Sequence, residues 1–156
     1  MATNPKFWLM KSEPDVFSID DLKAKGKTLW DGVRNYQARN FMTNDMKVGD
    51  QILFYHSNAN PPGIAGLAKV IAPAKPDPTA QDKNSQYFDE KSTAEKPRWF
   101  CVEVGFERKF QRYINLDEIR NHPELKNMLV IKRGQRLSIQ PVTPGEFRCL
   151  CHLGQN

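Results

Sequence analysis

The sequence predicts an α+β fold, a small, mostly antiparallel β-barrel of five to six strands with short helices packed outside. Three observations predict it. Short apolar segments with the two-residue alternation of strands recur along the chain, as in Phe100, Val102, Val104 and Phe106. Clusters of Pro, Gly, Asn and Asp punctuate them at close intervals. No βαβ rhythm or glycine-rich phosphate loop calls for a parallel, doubly wound sheet.

Taken in order, Phe7-Trp8-Leu9-Met10-Lys11 reads as a buried first strand meeting a turn at Ser12-Glu13-Pro14, where Pro14 biases Glu13 away from helix. Ser18-Ile19-Asp20-Asp21-Leu22 opens a capped helix that stops at Gly26, with Asp21 in a weaker version of the capping-box role. Thr28-Leu29-Trp30 is a short strand, and a helix runs from about Asn35 to Met42. Gln51 to Ser57 is a strand with an apolar middle. A hairpin-like loop at 58–63 returns as a strand from Ile64 to Ile71, where Gly63 and Gly66 point to a bulge or a close backbone approach. Residues 72–97 are rich in Pro, Lys, Asp, Asn and Ser and read as a mobile flap over one face. Trp99 to Glu107 alternates as a strand, with Arg108, Lys109 and Arg112 as a basic cluster at its end. Leu116 to Arg120 is a short helix broken near His122-Pro123, Leu125 to Ile131 is ambiguous, and Arg136 to Gln140 alternates as a final strand. Thr143-Pro144-Gly145-Glu146 opens a last helix with an N-cap, a proline at the first position and a glutamate three on.

Composition bounds the function. A chain of 156 residues can bury a real core and is most simply one domain over 1–156. No segment approaches the ~20 apolar residues of a membrane span. The start has no apolar signal core, and the odd cysteine count fits reduced thiols, so a cytoplasmic setting is expected. A net charge of +5 suits an anionic partner without requiring one. Cys149-Leu150-Cys151-His152 invites a metal reading. Residues two apart on a helix face different ways, and no second ligand pair accompanies them, so neither metal nor cofactor is expected.

The stretch Trp30-Asp31-Gly32-Val33-Arg34-Asn35-Tyr36-Gln37-Ala38-Arg39-Asn40 carries the chemistry. Gly32 lets the backbone turn, and the turn presents an indole, amides and guanidinium groups together. A nucleobase suits that mixture, because aromatics stack on its face and amides read its edge.

Four blocks resemble the signature of the EVE domain family, which is related to the PUA-like barrels and to YTH readers of methylated adenine. They are Phe7 to Pro14, Trp30 to Phe41, Phe54 to Asn58 and Gln135 to Pro141, and the resemblance runs from about Lys6 to Leu153. It implies a PUA-like barrel with a pocket for a modified base, most often a methylated or hydroxymethylated cytosine in DNA. The lack of a long basic N-terminal extension favours a bacterial setting over a nuclear one.

Trp30 is the leading cage candidate and matches the YTH cage tryptophan; the alternative is a core tryptophan. Trp99 is the better second wall, and Trp8 is core or rim. Lys11 and Ser12 match a Lys-Ser pair of YTH-like readers and read a base edge, or simply form a turn. Asn35 either reads a Watson–Crick edge or caps the following helix. Tyr36, His56 and Ser57 are taken as pocket lining, with His56 otherwise satisfied by backbone. Arg34, Arg39 and Arg136 are phosphate or edge contacts, with Lys132 and Arg133 extending a basic rim, although any one of them can be a solvated surface charge. The expected function is a non-enzymatic module that flips a modified base out of DNA, or of RNA. The competing readings are modification-independent RNA binding and a nucleotide- or RNA-processing enzyme, for which no paired carboxylates or activated nucleophile are evident.

Overall fold

The computed structural model describes residues 5–132, 134 and 137–155. The strands are β1 (Phe7–Ser12), β2 (Lys27–Leu29), β3 (Gln51–His56), β4 (Gly63–Pro76), β5 (Phe100–Asn115) and β6 (Ile139–Val142). The α-helices are α1 (Ile19–Lys25), α2 (Tyr36–Asn40), α3 (Leu116–Asn121) and α4 (Pro144–Gln155), and a π-turn at Phe41–Asp45 extends α2.

Local chemistry explains the helices. Ser18 accepts from Asp21 N while Asp21 accepts from Ser18 N, so both arms of the capping box are made, and Gly26 ends α1 at φ +87°. Thr143 and Glu146 form the same reciprocal pair at the start of α4. Between Leu125 and Ile131 the chain forms short 3₁₀ turns in place of a regular element.

The strands form one sheet in the order β2-β5-β4-β3-β1-β6. β1 and β3 are parallel, and the other pairs are antiparallel. The six strands and flanking helices match expectation, but among the described residues no ladder joins β2 to β6, so the sheet is open where a closed barrel was expected. The edge strands are too short to complete a ring: β2 has three residues, and β6 has four, one of them Pro141, which cannot donate to a further neighbour.

Both faces of the sheet are covered, which is why β1 and β3 are apolar almost throughout. On one face Trp8, Met10, Ile52, Phe54, Val102 and Val104 pack with Ile19 and Leu22 of α1 and Ala38 of α2. On the other, Leu9, Leu53, Tyr55, Phe110 and Ile114 pack with Ile119 of α3 and Leu150 of α4. The long β4–β5 hairpin serves both cores because bulges bend it at several points along its length. These bulges also hide its true length, since each interrupts the alternation by which a strand is read. At one of them, a Cβ on Gly66 would lie 2.3 Å from the Arg108 carbonyl oxygen, so only glycine permits the crossing. Arg108, Lys109 and Arg112 consequently lie within β5 and not beyond its end.

Candidate functional site

Where β1 ends and the turn after β2 begins, a cavity of about 600 Å3 opens to solvent. Lys11 and Ser12 line it from β1, and Trp30, Asp31, Gly32 and Arg34 line it from the central turn. Tyr87 reaches it from the 77–99 segment, and Ser138 from the approach to β6. These residues share one place because Lys11 N at the end of β1 donates to Ser138 O at 2.9 Å, while the Trp30 ring packs onto Phe54 of β3, the strand that pairs with β1. Trp30 N donates to Val102 O at 2.8 Å, which pins the turn to β5.

Asp77, fully buried, organises that turn. Its Oδ2 accepts from Gly32 N at 2.8 Å and Arg34 Nη1 at 3.1 Å, and its Oδ1 accepts from Thr79 N at 2.8 Å and Thr79 Oγ1 at 2.6 Å. Burial pushes this carboxyl upward, but the hydrogen bonds from Thr79, Gly32 and Arg34 outweigh it and hold the group below the usual carboxylate range. Arg34 also donates to the carbonyl oxygens of Val33 and Tyr87 and to Thr79 Oγ1, so all five of its N–H groups have partners. Gly32 sits at φ +78°, and a Cβ there would press within 2.8 Å of the Tyr87 ring. Residues 72–97, expected to be a mobile flap, divide instead: 72–76 belong to β4, and the segment after it is tied down through the part-buried Arg34–Asp77 ion pair. An aromatic ladder adds to the tie. Tyr36 stacks on Trp99 at 4.9 Å, the Arg39 guanidinium lies 4.7 Å from the Tyr36 ring, and that of Arg34 lies 5.3 Å from Trp99 and 5.5 Å from Tyr87.

The expected site residues divide into two groups. Lys11, Ser12, Trp30 and Arg34 line the cavity. Trp30 is both wall and core: it is 9% exposed and meets Phe54 edge-on at 5.6 Å. The Ser12 hydroxyl donates to Phe17 O at 2.5 Å, holding the turn below it. Asn35, Tyr36, His56 and Ser57 are not brought to the cavity. Asn35 caps α2, its side chain accepting from Ala38 N at 2.9 Å. Tyr36 belongs to the aromatic ladder. His56 Nε2 accepts from Ile19 N at 3.1 Å, satisfying a free donor at the start of α1, and burial holds its pKa below the ordinary histidine value. Ser57 N donates to Ser12 O at 3.0 Å. Arg39 donates to Asn40 and to Arg98 O. Arg136 and Arg133 lie outside the described residues, and Lys132 is exposed.

Trp99 is not the second wall. Its indole N–H donates to Asp89 at 2.8 Å beneath Tyr36, and Tyr87 takes the place at the cavity that Trp99 was expected to fill. Trp8 is core, its indole N–H donating to buried Asp50 at 3.0 Å. Sequence reasoning passed over Asp31, which lines the cavity beside Trp30. Burial, followed by the nearby negative Asp77, holds its carboxyl above the ordinary aspartate value. Burial likewise holds the Lys11 ammonium below the ordinary lysine value. The cavity thus offers an aromatic wall, an acidic acceptor and a half-buried cationic donor, each charge held where it costs desolvation to keep.

Residues 6–153 match the family model described as the EVE domain. The chain is 48% identical over 159 residues to thymocyte nuclear protein 1 of Homo sapiens, an alignment spanning 90% of this chain and 70% of that protein. Among solved structures, human THYN1 protein in complex with 5-methylcytosine containing DNA matches with a TM-score of 0.90 at 45% identity, over 97% of this chain and 98% of that one. A protein from Pseudomonas syringae matches with a TM-score of 0.90 at 46% identity, over 95% of this chain and 99% of that one. Similar proteins thus come from animals and bacteria alike, and similarity does not favour the bacterial setting expected above. Among the described residues, no helix is long and apolar enough to cross a membrane.

Proposed function

The chain belongs to the EVE domain family, and on that premise we propose that it is a single-domain, non-enzymatic module that binds DNA by holding a flipped, modified cytosine in the cavity beside Trp30. The observation that carries this reading is the cavity itself, which joins an indole wall to an acidic edge in a chain 45% identical to a human protein solved with 5-methylcytosine containing DNA.

In this reading Trp30 stacks on the base, for which aromatic stacking contributes about 1–3 kcal/mol. Asp31 accepts from the exocyclic N4 amine, the group that separates cytosine from thymine. Lys11 donates toward a carbonyl or phosphate oxygen, and the apolar edges of Phe17 and Val33 receive the methyl group. Extrusion from the duplex costs a few kcal/mol, which stacking and edge contacts offset. Arg34 acts at one remove, shaping the turn with donors already engaged, so phosphate contact falls to other basic residues, of which Lys132 is exposed. Asn35, His56 and Arg39 support the same turn and its neighbours. Passive binding is favoured over turnover because the two cavity groups best placed to serve as base and nucleophile have structural partners: Glu13 is held by Asn58, and the Ser12 hydroxyl by Phe17 O.

Calorimetry with matched oligonucleotides tests the proposal: unmodified cytosine, 5-methylcytosine, 5-hydroxymethylcytosine and N6-methyladenine in DNA, and 5-methylcytosine in RNA, all at one salt concentration. Tighter binding of modified cytosine in DNA is expected. Equal affinity for all would favour the modification-independent reading, and a released product would replace the passive module with an enzyme.

A further inference from the structure

A second concavity, of about 480 Å3, lies on the opposite side of the sheet, where α4 meets the turn that follows α3. His122, Glu124, Cys149 and His152 line it. His122 and Glu124 flank Pro123 in that turn, and Cys149 and His152 stand three residues apart on α4, a spacing that places them on one helix face. One ligand atom from each of His122, Glu124 and Cys149 lies within 4.8 Å of the others, and Cys149 Sγ is 3.8 Å from His122 Nε2. The sequence pattern that invited a metal reading paired Cys149 with Cys151. The fold places Cys149 and His152 on one concavity instead and supplies a second pair, His122 and Glu124, from the turn after α3.

We propose that His122, Glu124 and Cys149 bind a divalent transition-metal ion of the zinc type, with His152 or water as the fourth ligand. Metal–nitrogen and metal–sulfur bonds of about 2.0–2.3 Å place tetrahedral ligand atoms ~3.5 Å apart, so side-chain rotations of about 1 Å close the site around an ion. Thiolate, imidazole and carboxylate together form a borderline-soft set that suits zinc over magnesium or calcium. The two anionic ligands balance the charge of a divalent cation beside Arg148, which lines the same concavity. Binding releases the thiol proton to solvent as the metal–sulfur bond forms.

The same residues make a poor nucleophilic pair. Burial and the Glu124 carboxylate, which accepts from the thiol, hold Cys149 above the ordinary cysteine value, whereas a nucleophile needs a lowered thiol pKa. The Glu124 carboxylate meets the sulfur, while the Glu124 backbone N–H donates to His122 Nδ1 at 3.3 Å. A cation seated among these groups reverses the sign of the field that the thiol feels.

Cobalt(II) titration of the reduced, chelator-treated full chain tests the assignment without nucleic acid. One equivalent should give a thiolate-to-cobalt charge-transfer band that zinc then displaces. Cys149→Ser should abolish the band, Cys151→Ser should keep it, and the exposed Glu124→Gln, which leaves the fold intact by circular dichroism, should weaken cobalt binding at least tenfold. Absence of the band in the unmutated chain, its survival in Cys149→Ser, or unchanged affinity in Glu124→Gln would each overturn the site.

Discussion

Replacing Trp30 probes the cavity and the core at once, and the two effects have different sizes. The indole is 9% exposed and rests edge-on against Phe54 within the first core. Truncating a buried tryptophan to alanine costs about 3–5 kcal/mol, against about 5–15 kcal/mol for the stability of a whole domain. Trp30→Ala should therefore fold with a thin margin. Trp30→Phe keeps a ring in the core and should cost about 1–3 kcal/mol. Stacking worth about 1–3 kcal/mol corresponds to roughly 5- to 150-fold in affinity for the modified oligonucleotide. The alanine variant should lose most of that factor and the phenylalanine variant a few-fold of it. Urea denaturation gives the stability change, and calorimetry, at a temperature where circular dichroism shows each variant fully folded, gives the binding change. Folded variants that keep the parent's affinity and its preference for the modified base would refute the stacking role.

Three further outcomes follow from the same geometry. Asp77→Asn leaves the Arg34 guanidinium, 24% exposed, without its counter-charge and turns an amide toward Gly32 N–H. The expected loss is about 3 kcal/mol in urea denaturation, and an unchanged midpoint would remove Asp77 as the organiser of the turn. His56 is held below its ordinary pKa by burial, so the unfolded chain binds that proton more tightly and stability falls as pH drops through and below about 6.5. The melting temperature of His56→Gln should fall less between about pH 7.5 and about pH 5 than that of the parent; parallel curves would contradict this. Asp31 is an exposed residue whose pKa is raised by partial desolvation and then by Asp77, so its ionised form gives up a little stability at neutral pH. Asp31→Ala should raise the denaturation midpoint slightly at pH 7 while weakening binding of cytosine-bearing DNA by about 1–3 kcal/mol. Undiminished binding would take Asp31 out of the base site.

Much of the fold is legible because it is written over short spans. Ser18, Asp21 and Gly26 delimit α1 through bonds no more than four residues long, and Thr143 with Glu146 opens α4 in the same way. Strands β1 and β3 announce themselves as apolar runs. β4 and β5 are longer than their alternation suggests, because bulges break the period without ending the pairing. Sheet closure was misjudged for a related reason: strand count says nothing about whether two short edges can meet.

The site was legible in kind more than in membership. The central turn, with its indole and its unusual density of polar side chains, marks itself as a place for a ligand before any coordinates are known. Composition does not distinguish the three tryptophans, since all have the same side chain. Trp8 is claimed by Asp50, 42 residues away, and Trp99 by Asp89, 10 away, while Trp30 is left bordering an opening. Arg34 and Asp77 are 43 residues apart, and Cys149 meets His122 across 27. By itself the sequence determined the family, the helix limits and the turn that carries the chemistry, because these depend on neighbours along the chain. Only the tertiary structure decided which polar groups are already partnered and which still face open space, because hydrogen-bond partners and burial are settled by elements that meet across the sheet.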